Sequence, residues 1–397
     1  MLQHMKASGG WQVSMNRIYL DYAATAPVLP EVLDAMLPFF VSQFGNPSGI
    51  HANGRETRKA VEQARRQTAK ALGAESQEIC FTSGGSESNN LAVQGTAFAL
   101  QGKGNHLITS QIEHPSVLKT CRWLEKQGFR VTYLPVDSSG TVSPESVREA
   151  IGPETILVSV MTANNEIGTI QPVSQIGEIC REKDIVFHTD AVQAAGMLKT
   201  DVKELHADLL SISAHKFHGP KGVGALYIRK GTRLESLIHG GSQEKGLRAG
   251  TENVPGIAGM GKAIEIAMAE MEEKPARIRE LRDLLSGRIL ERVPGAKMNG
   301  HPTMRLPNNC HFSFSGIESE ALLLRLDLAG ISVSGGSACT SGSMEPSHVL
   351  QAIGLKDEML KGGIRLTLGR ETTREEIEKT VRILAEIIED LRQLGSR

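Results

Sequence analysis

The sequence predicts an α/β protein built on a mostly parallel sheet with helices on both faces. Three observations point there. From about residue 78 to 228, short apolar runs alternate with helical patterns, the signature of strands joined by crossovers. Two of those runs stop abruptly in polar groups: Ile185-Val186-Phe187 leads into Asp190, and Leu209 to Ile212 leads into Ser213, His215 and Lys216 before Gly219-Pro220. Ligand sites on such sheets lie at the carboxyl ends of strands. Finally, 397 residues exceed one ordinary core and suggest two or three domains.

Taken in order, Ile18-Tyr19-Leu20 reads as a short strand entering the small-residue turn Ala23-Ala24-Thr25-Ala26-Pro27. A helix is expected from about Arg55 to Leu72, its Arg55, Arg58, Lys59, Arg65, Arg66 and Lys70 reading first as a solvated face and second as a partner-docking patch. Ile79 to Thr82 is a strand, and Gly84-Gly85-Ser86 turns it into a helix whose first N–H groups suit an anion. His106 to Thr109 is the next strand. Glu113-His114-Pro115-Ser116 then opens a helix with proline in its first turn. Thr155 to Ala163 is a strand, followed by the turn Asn164 to Gly168 and a helix through Cys180. From about Gly256 to Val293 the pattern is helical, interrupted near Pro275, and the large domain ends within it. Thr373 and Glu376 form a capping box, after which Ile377, Val381, Leu384, Ile388 and Leu391 mark one apolar face.

Composition narrows the class. With 44 basic and 45 acidic residues, net charge −1, the chain offers neither a nucleic-acid surface nor a membrane one as its main business. No apolar run is long enough to cross a bilayer. Met1 to Ser14 lacks the apolar core of a signal peptide and is expected to be a disordered extension. Five cysteines form no CxxC pair, which fits a reduced cytoplasm and no metal site. Those at 80, 121, 180 and 310 sit in apolar or helical contexts and read as small core residues. Cys339 stands among Gly, Ser, Ala and Thr, either as a nucleophile on an open loop or as an incidental exposed thiol.

Read alone, Lys216 fits a strand followed by a turn with a surface lysine as well as it fits a reactive amine. Asp190, 26 residues upstream, tips the balance, since an acid at a pyridine nitrogen and a lysine at an aldehyde carbon are the fixed points of pyridoxal phosphate binding. From Ile18 to the C-terminus the chain resembles the fold-type I pyridoxal phosphate enzymes of the class V aminotransferase group, and more narrowly the group I, NifS/IscS-like cysteine desulfurases. Ser334-Gly335-Gly336-Ser337-Ala338-Cys339-Thr340-Ser341 matches the motif that sets those desulfurases apart, whereas Tyr22 stands where asparagine is common.

The resemblance implies a seven-stranded sheet in a large cofactor-binding domain at 28–265. It implies a smaller α+β domain from 15–27 and 266–397 that carries the Cys339 loop. It assigns Gly85, Ser86, Ser213 and His215 to the cofactor phosphate, Asp190 to the ring nitrogen and Lys216 to the aldehyde carbon. His114 stacks on the ring and moves protons, while Gln193 and Asn165 complete the cofactor contacts. Arg365, with Asn165, holds the substrate carboxylate, and Thr251 reaches the phosphate of the other subunit in a homodimer. Lys216, Cys339 and His114 form the catalytic set. The implied reaction converts L-cysteine to L-alanine and leaves the sulfur on Cys339 as a persulfide. An iron–sulfur scaffold, a tRNA-thiolating enzyme or another thio-cofactor pathway would receive it. A selenocysteine lyase or another class V enzyme would keep Lys216 and Asp190 without requiring Cys339. A non-catalytic sulfur scaffold would not need the cofactor residues at all.

Overall fold

The computed structural model describes residues 17–335 and 346–395. The extension expected at residues 1–14 and the loop cysteine Cys339 lie outside them. Twelve strands are described: β1 (Ile18–Tyr19), β2 (Ile79–Thr82), β3 (His106–Ser110), β4 (Arg130–Leu134), β5 (Thr155–Ser159), β6 (Val186–Asp190), β7 (Leu209–Ser213), β8 (Gly224–Ile228), β9 (Ala296–Asn299), β10 (Asn309–Phe314), β11 (Ile331–Ser332) and β12 (Gly363–Thr367).

Seven of them form one sheet in the order β2-β8-β7-β6-β5-β3-β4. β8 pairs antiparallel with both neighbours, and every other pairing is parallel, so only β8 runs backwards. This is the expected mostly parallel sheet. β2, β3, β5 and β7 are buried along their whole length, which explains their near-continuous apolar sequence: helices cover both faces. One face packs through Leu72, Ile212, Phe217 and Met260 against the helices at Ala52–Leu72 and Val254–Ala269. The other packs through Leu107 and Leu157 against Val93, Val117 and Leu124, on the helices Gly85–Leu100 and Pro115–Lys126.

A second sheet, β12-β10-β9, is antiparallel and has its own apolar cluster around Phe312, Phe314, Ile364 and Leu366. The helices Glu273–Arg292 and Arg374–Gly395 cover it. Here the capping box forms as expected: Thr373 N–H donates to Glu376 Oε2 at 2.9 Å, and Glu376 N–H to Thr373 Oγ1 at 3.2 Å. β1 pairs parallel with β11, so Ile18 and Leu20 join this cluster despite their distance in sequence.

Two local expectations change. Arg65 is not on a solvated face; it is 8% exposed, pairs with Glu244 at 2.7 and 2.8 Å and lies over the Phe81 ring. The break between the domain-joining helices falls at residues 270–272, ahead of Pro275, which sits in the first turn of the second helix where proline is tolerated.

Candidate active site

The carboxyl ends of the parallel strands open into a cavity of about 210 Å³. Its wall includes Ala23, Ala24, Gly85, Ser86, Asn89, His114, Asn165, Asp190, Gln193, Ser213, His215, Lys216 and Arg365. The structure thus gathers every described residue singled out from the sequence except Thr251. Thr251 is exposed on a separate loop and is absent from this wall.

Asp190 ends β6 and is 6% exposed. Its Oδ1 accepts the Val192 N–H at 2.9 Å, and its Oδ2 accepts the Asn89 amide at 2.7 Å. Lys216 closes a short turn just past the end of β7, the strand beside β6. Its Nζ donates to the carbonyl oxygens of Ala23 and Ala24. Gln193 donates to the same Ala23 oxygen at 3.0 Å, so the N-terminal turn is fastened to the cavity from two directions. Tyr22, beside that turn, is buried and packs edge-on against Tyr19 rather than lining the cavity.

His114 caps the helix Pro115–Lys126 by accepting the Ser116 N–H at 3.2 Å. Burial is the largest influence on its ring and holds its pKa below the ordinary range; the charges of Lys216 and His348 add to this, and Asp190 opposes it. Burial, with help from Lys216 and Lys221, likewise brings His215 down to about 4. Next to His114, the carboxyl of Glu113 is fully buried and is pushed up to about 8 by burial, despite bonds from Ser110 and the Met161 N–H. Glu166 is also raised by burial and accepts the Ser347 hydroxyl.

Arg365 on β12 is 1% exposed. One terminal nitrogen donates to the Asn165 carbonyl at 2.8 Å, the other to Asp21 Oδ1 at 2.8 Å, and Nε has no partner among the described residues. Ser334, immediately before the segment containing Cys339, exchanges backbone hydrogen bonds with Arg365. The four described cysteines are buried. Burial raises all their thiols, with Cys121 and Cys180 at about 12 and Cys310 at about 11, so they stay protonated as expected of core residues.

The residues present fit pyridoxal phosphate. Gly85 opens a helix within the wall, and a Cβ there would meet Val192 Cγ2 at 2.7 Å; only glycine leaves that helix terminus bare for an anion. Hydroxyl groups of Ser86 and Ser213 and the ring of His215 stand on the same wall, an acid and an amine follow, and the Arg365 guanidinium completes it. Sequence reading missed Asn89, Ser116 and Asp21. Asn89 carried a signal, a polar side chain facing the sheet one turn into a helix otherwise buried by Leu91, Ala92 and Val93.

A strand-end amine and acid beside a bare helix terminus define an α/β pyridoxal phosphate enzyme. The chain belongs to the aminotransferase class-V family, which matches residues 18–380. It is 57% identical over 378 residues to "Cysteine desulfurase IscS" of Dictyoglomus turgidum, covering 95% of this chain and 96% of that one. It is 55% identical to the protein of the same name from Methanosarcina thermophila, covering 95% and 93%. Among solved structures, a "NIFS-like protein" matches with a TM-score of 0.89 at 40% identity, over 94% of this chain and all of that one. "SspA in complex with cysteine" matches with a TM-score of 0.80 at 42% identity, over 88% and 98%.

Proposed function

We propose that this chain is a pyridoxal-phosphate-dependent cysteine desulfurase that moves the sulfur of L-cysteine onto Cys339. The observation carrying the reading is that Lys216 and Asp190 lie at the ends of adjacent strands on a cavity shared with the buried Arg365. The names of its relatives and their near-complete coverage support it.

The cofactor, when bound, supplies an electron sink for the pair released at the substrate Cα. Gly85, Ser86, Ser213 and His215 supply donors for its phosphate, and Asp190 a carboxylate for its ring nitrogen. Lys216 would hold the aldehyde carbon in the resting enzyme, and its amine, once freed by substrate, would take the Cα proton as general base. Arg365 binds the substrate carboxylate as a charge-assisted pair, with Asn165 beside it. His114 and Gln193 bound the rest of the site. The Cys339 thiolate attacks the substrate sulfur: an S–S bond forms, the C–S bond breaks, and its electrons remain with the carbon skeleton that becomes alanine.

The two apolar clusters support a division into a cofactor domain at 28–265 and a second domain from 15–27 and 266–397. The working unit in this reading is a cytoplasmic homodimer serving a protein sulfur acceptor, either an iron–sulfur scaffold or a tRNA-thiolating enzyme. No helix among the described residues is long and apolar enough to cross a membrane.

The test is Cys339→Ser in the cofactor-loaded enzyme. It should bind cysteine and keep the visible spectrum yet produce no sulfide, while mass spectrometry finds one added sulfur on the wild-type Cys339 peptide. Alanine and sulfide at the wild-type rate from Cys339→Ser would overturn transfer to this cysteine and favour a selenocysteine lyase.

A further inference from the structure

A line of hydrogen bonds connects His114 to Asp190 through two side chains that the proposed mechanism does not use. Ser116 N–H lies 3.2 Å from His114 Nδ1. A backbone N–H can only donate, so this ring nitrogen holds a lone pair rather than a proton. The Ser116 hydroxyl is 2.7 Å from the same nitrogen and must donate to it as well. That hydroxyl accepts the Asn89 amide at 2.9 Å, and the other hydrogen of the same amide nitrogen meets Asp190 Oδ2 at 2.7 Å. Reversing the Asn89 amide would place its oxygen against the carboxylate, so Asp190 decides which way the amide faces. Asn89 is 1% exposed and its Oδ1 has no partner among the described residues, so the side chain is anchored by its donor end alone.

We propose that Asn89 and Ser116 are positioning residues that hold His114 as a neutral imidazole with its proton on Nε2, in a register dictated by Asp190. Each link has one direction: carboxylate, amide, hydroxyl, ring. Among the described residues, Asp190, Lys216 and His348 act electrostatically on the ring, and burial favours its neutral form. The outcome is one defined proton on a ring that lines the cavity. This deepens the desulfurase reading, and its chemical value rests on that reading.

The test separates the two. In cofactor-loaded enzyme labelled with ¹⁵N in its histidine rings, His114 is assigned by the signal lost in His114→Gln. Long-range ¹H–¹⁵N correlations should show the Nε2–H neutral tautomer in the wild type. Ser116→Ala keeps the backbone N–H on Nδ1 and removes only the hydroxyl. The Nε2–H tautomer should therefore persist while the Nδ1 signal shifts and kcat falls about tenfold with KM for cysteine unchanged, whereas Ser116→Thr should restore both. Asn89→Leu should repeat the Nδ1 shift, because the Ser116 hydroxyl then loses the donor that orients it. A wild-type ring that is cationic at neutral pH, or that carries its proton on Nδ1, overturns the proposal. So does a Ser116→Ala enzyme with wild-type ring signals and wild-type kcat. The wild-type spectrum gives its answer as long as His114→Gln, which supplies the assignment, folds, even if the Ser116 and Asn89 variants do not. It does so too if the enzyme leaves cysteine untouched, a result that would refute the desulfurase reading alone.

Discussion

The two charged anchors of the cavity are assembled in different ways. Asp190 is held by its own strand end and by Asn89, on a helix packed against the same sheet. Arg365 belongs to the smaller sheet and is held by Asn165, 200 residues away, and by Asp21, 344 residues away. The first anchor comes complete with the seven-stranded sheet. The second exists only once three distant segments have met. Damage to the first should therefore show in cofactor chemistry, and damage to the second in the hold on substrate.

Lys216→Ala should cut the strongest contrast, lowering alanine release by about 10⁴-fold or more, the upper range for a lost general base. Borohydride should then fix no cofactor to the chain; recovering it on another lysine would refute the assignment. Arg365→Lys keeps the charge but loses the two-pronged grip, worth about 1.5–3 kcal/mol. KM for cysteine should rise about ten- to a hundredfold in steady-state assays while the cofactor spectrum stays unchanged. A changed spectrum would mean that the two anchors are not separate.

Thr251→Ala should weaken cofactor retention about tenfold, measured by dialysis, if the exposed loop serves the phosphate of a partner subunit. Mixed dimers of Lys216→Ala and a severe Thr251 variant should then regain one intact site, and failure to regain any would exclude the crossing. The smallest effect belongs to Asp21→Asn. It keeps an oxygen beside Arg365 and removes the competing charge of a largely buried ion pair. KM for cysteine should fall about threefold, and a rise would show that Asp21 aims the guanidinium rather than neutralising it.

Much of the site was legible because it sits at strand ends. There an apolar run gives way to polar residues, as at Ile212-Ser213 and at Phe187-His188, two residues before Asp190. What escaped was the pairing of polar groups far apart in the chain. Arg65 looked solvated because Glu244 lies 179 residues on, in a turn at φ 45° that no local pattern announces. Ser116 looked like an ordinary first-turn serine, and its use became visible only when the fold brought Asn89 beside it. Periodicity reports which face is buried; it does not report which buried polar groups meet.

The His114 cap has a mechanical consequence. The lone pair that accepts the Ser116 N–H is the one fastening the first turn of the helix Pro115–Lys126. An acid that protonates Nδ1 must therefore unfasten a helix end, at about 1 kcal/mol for a typical lost cap. The end of this helix therefore opposes protonation of the imidazole through a direct contact. A medium that turns mildly acidic meets that resistance before it can alter the charge at the cavity.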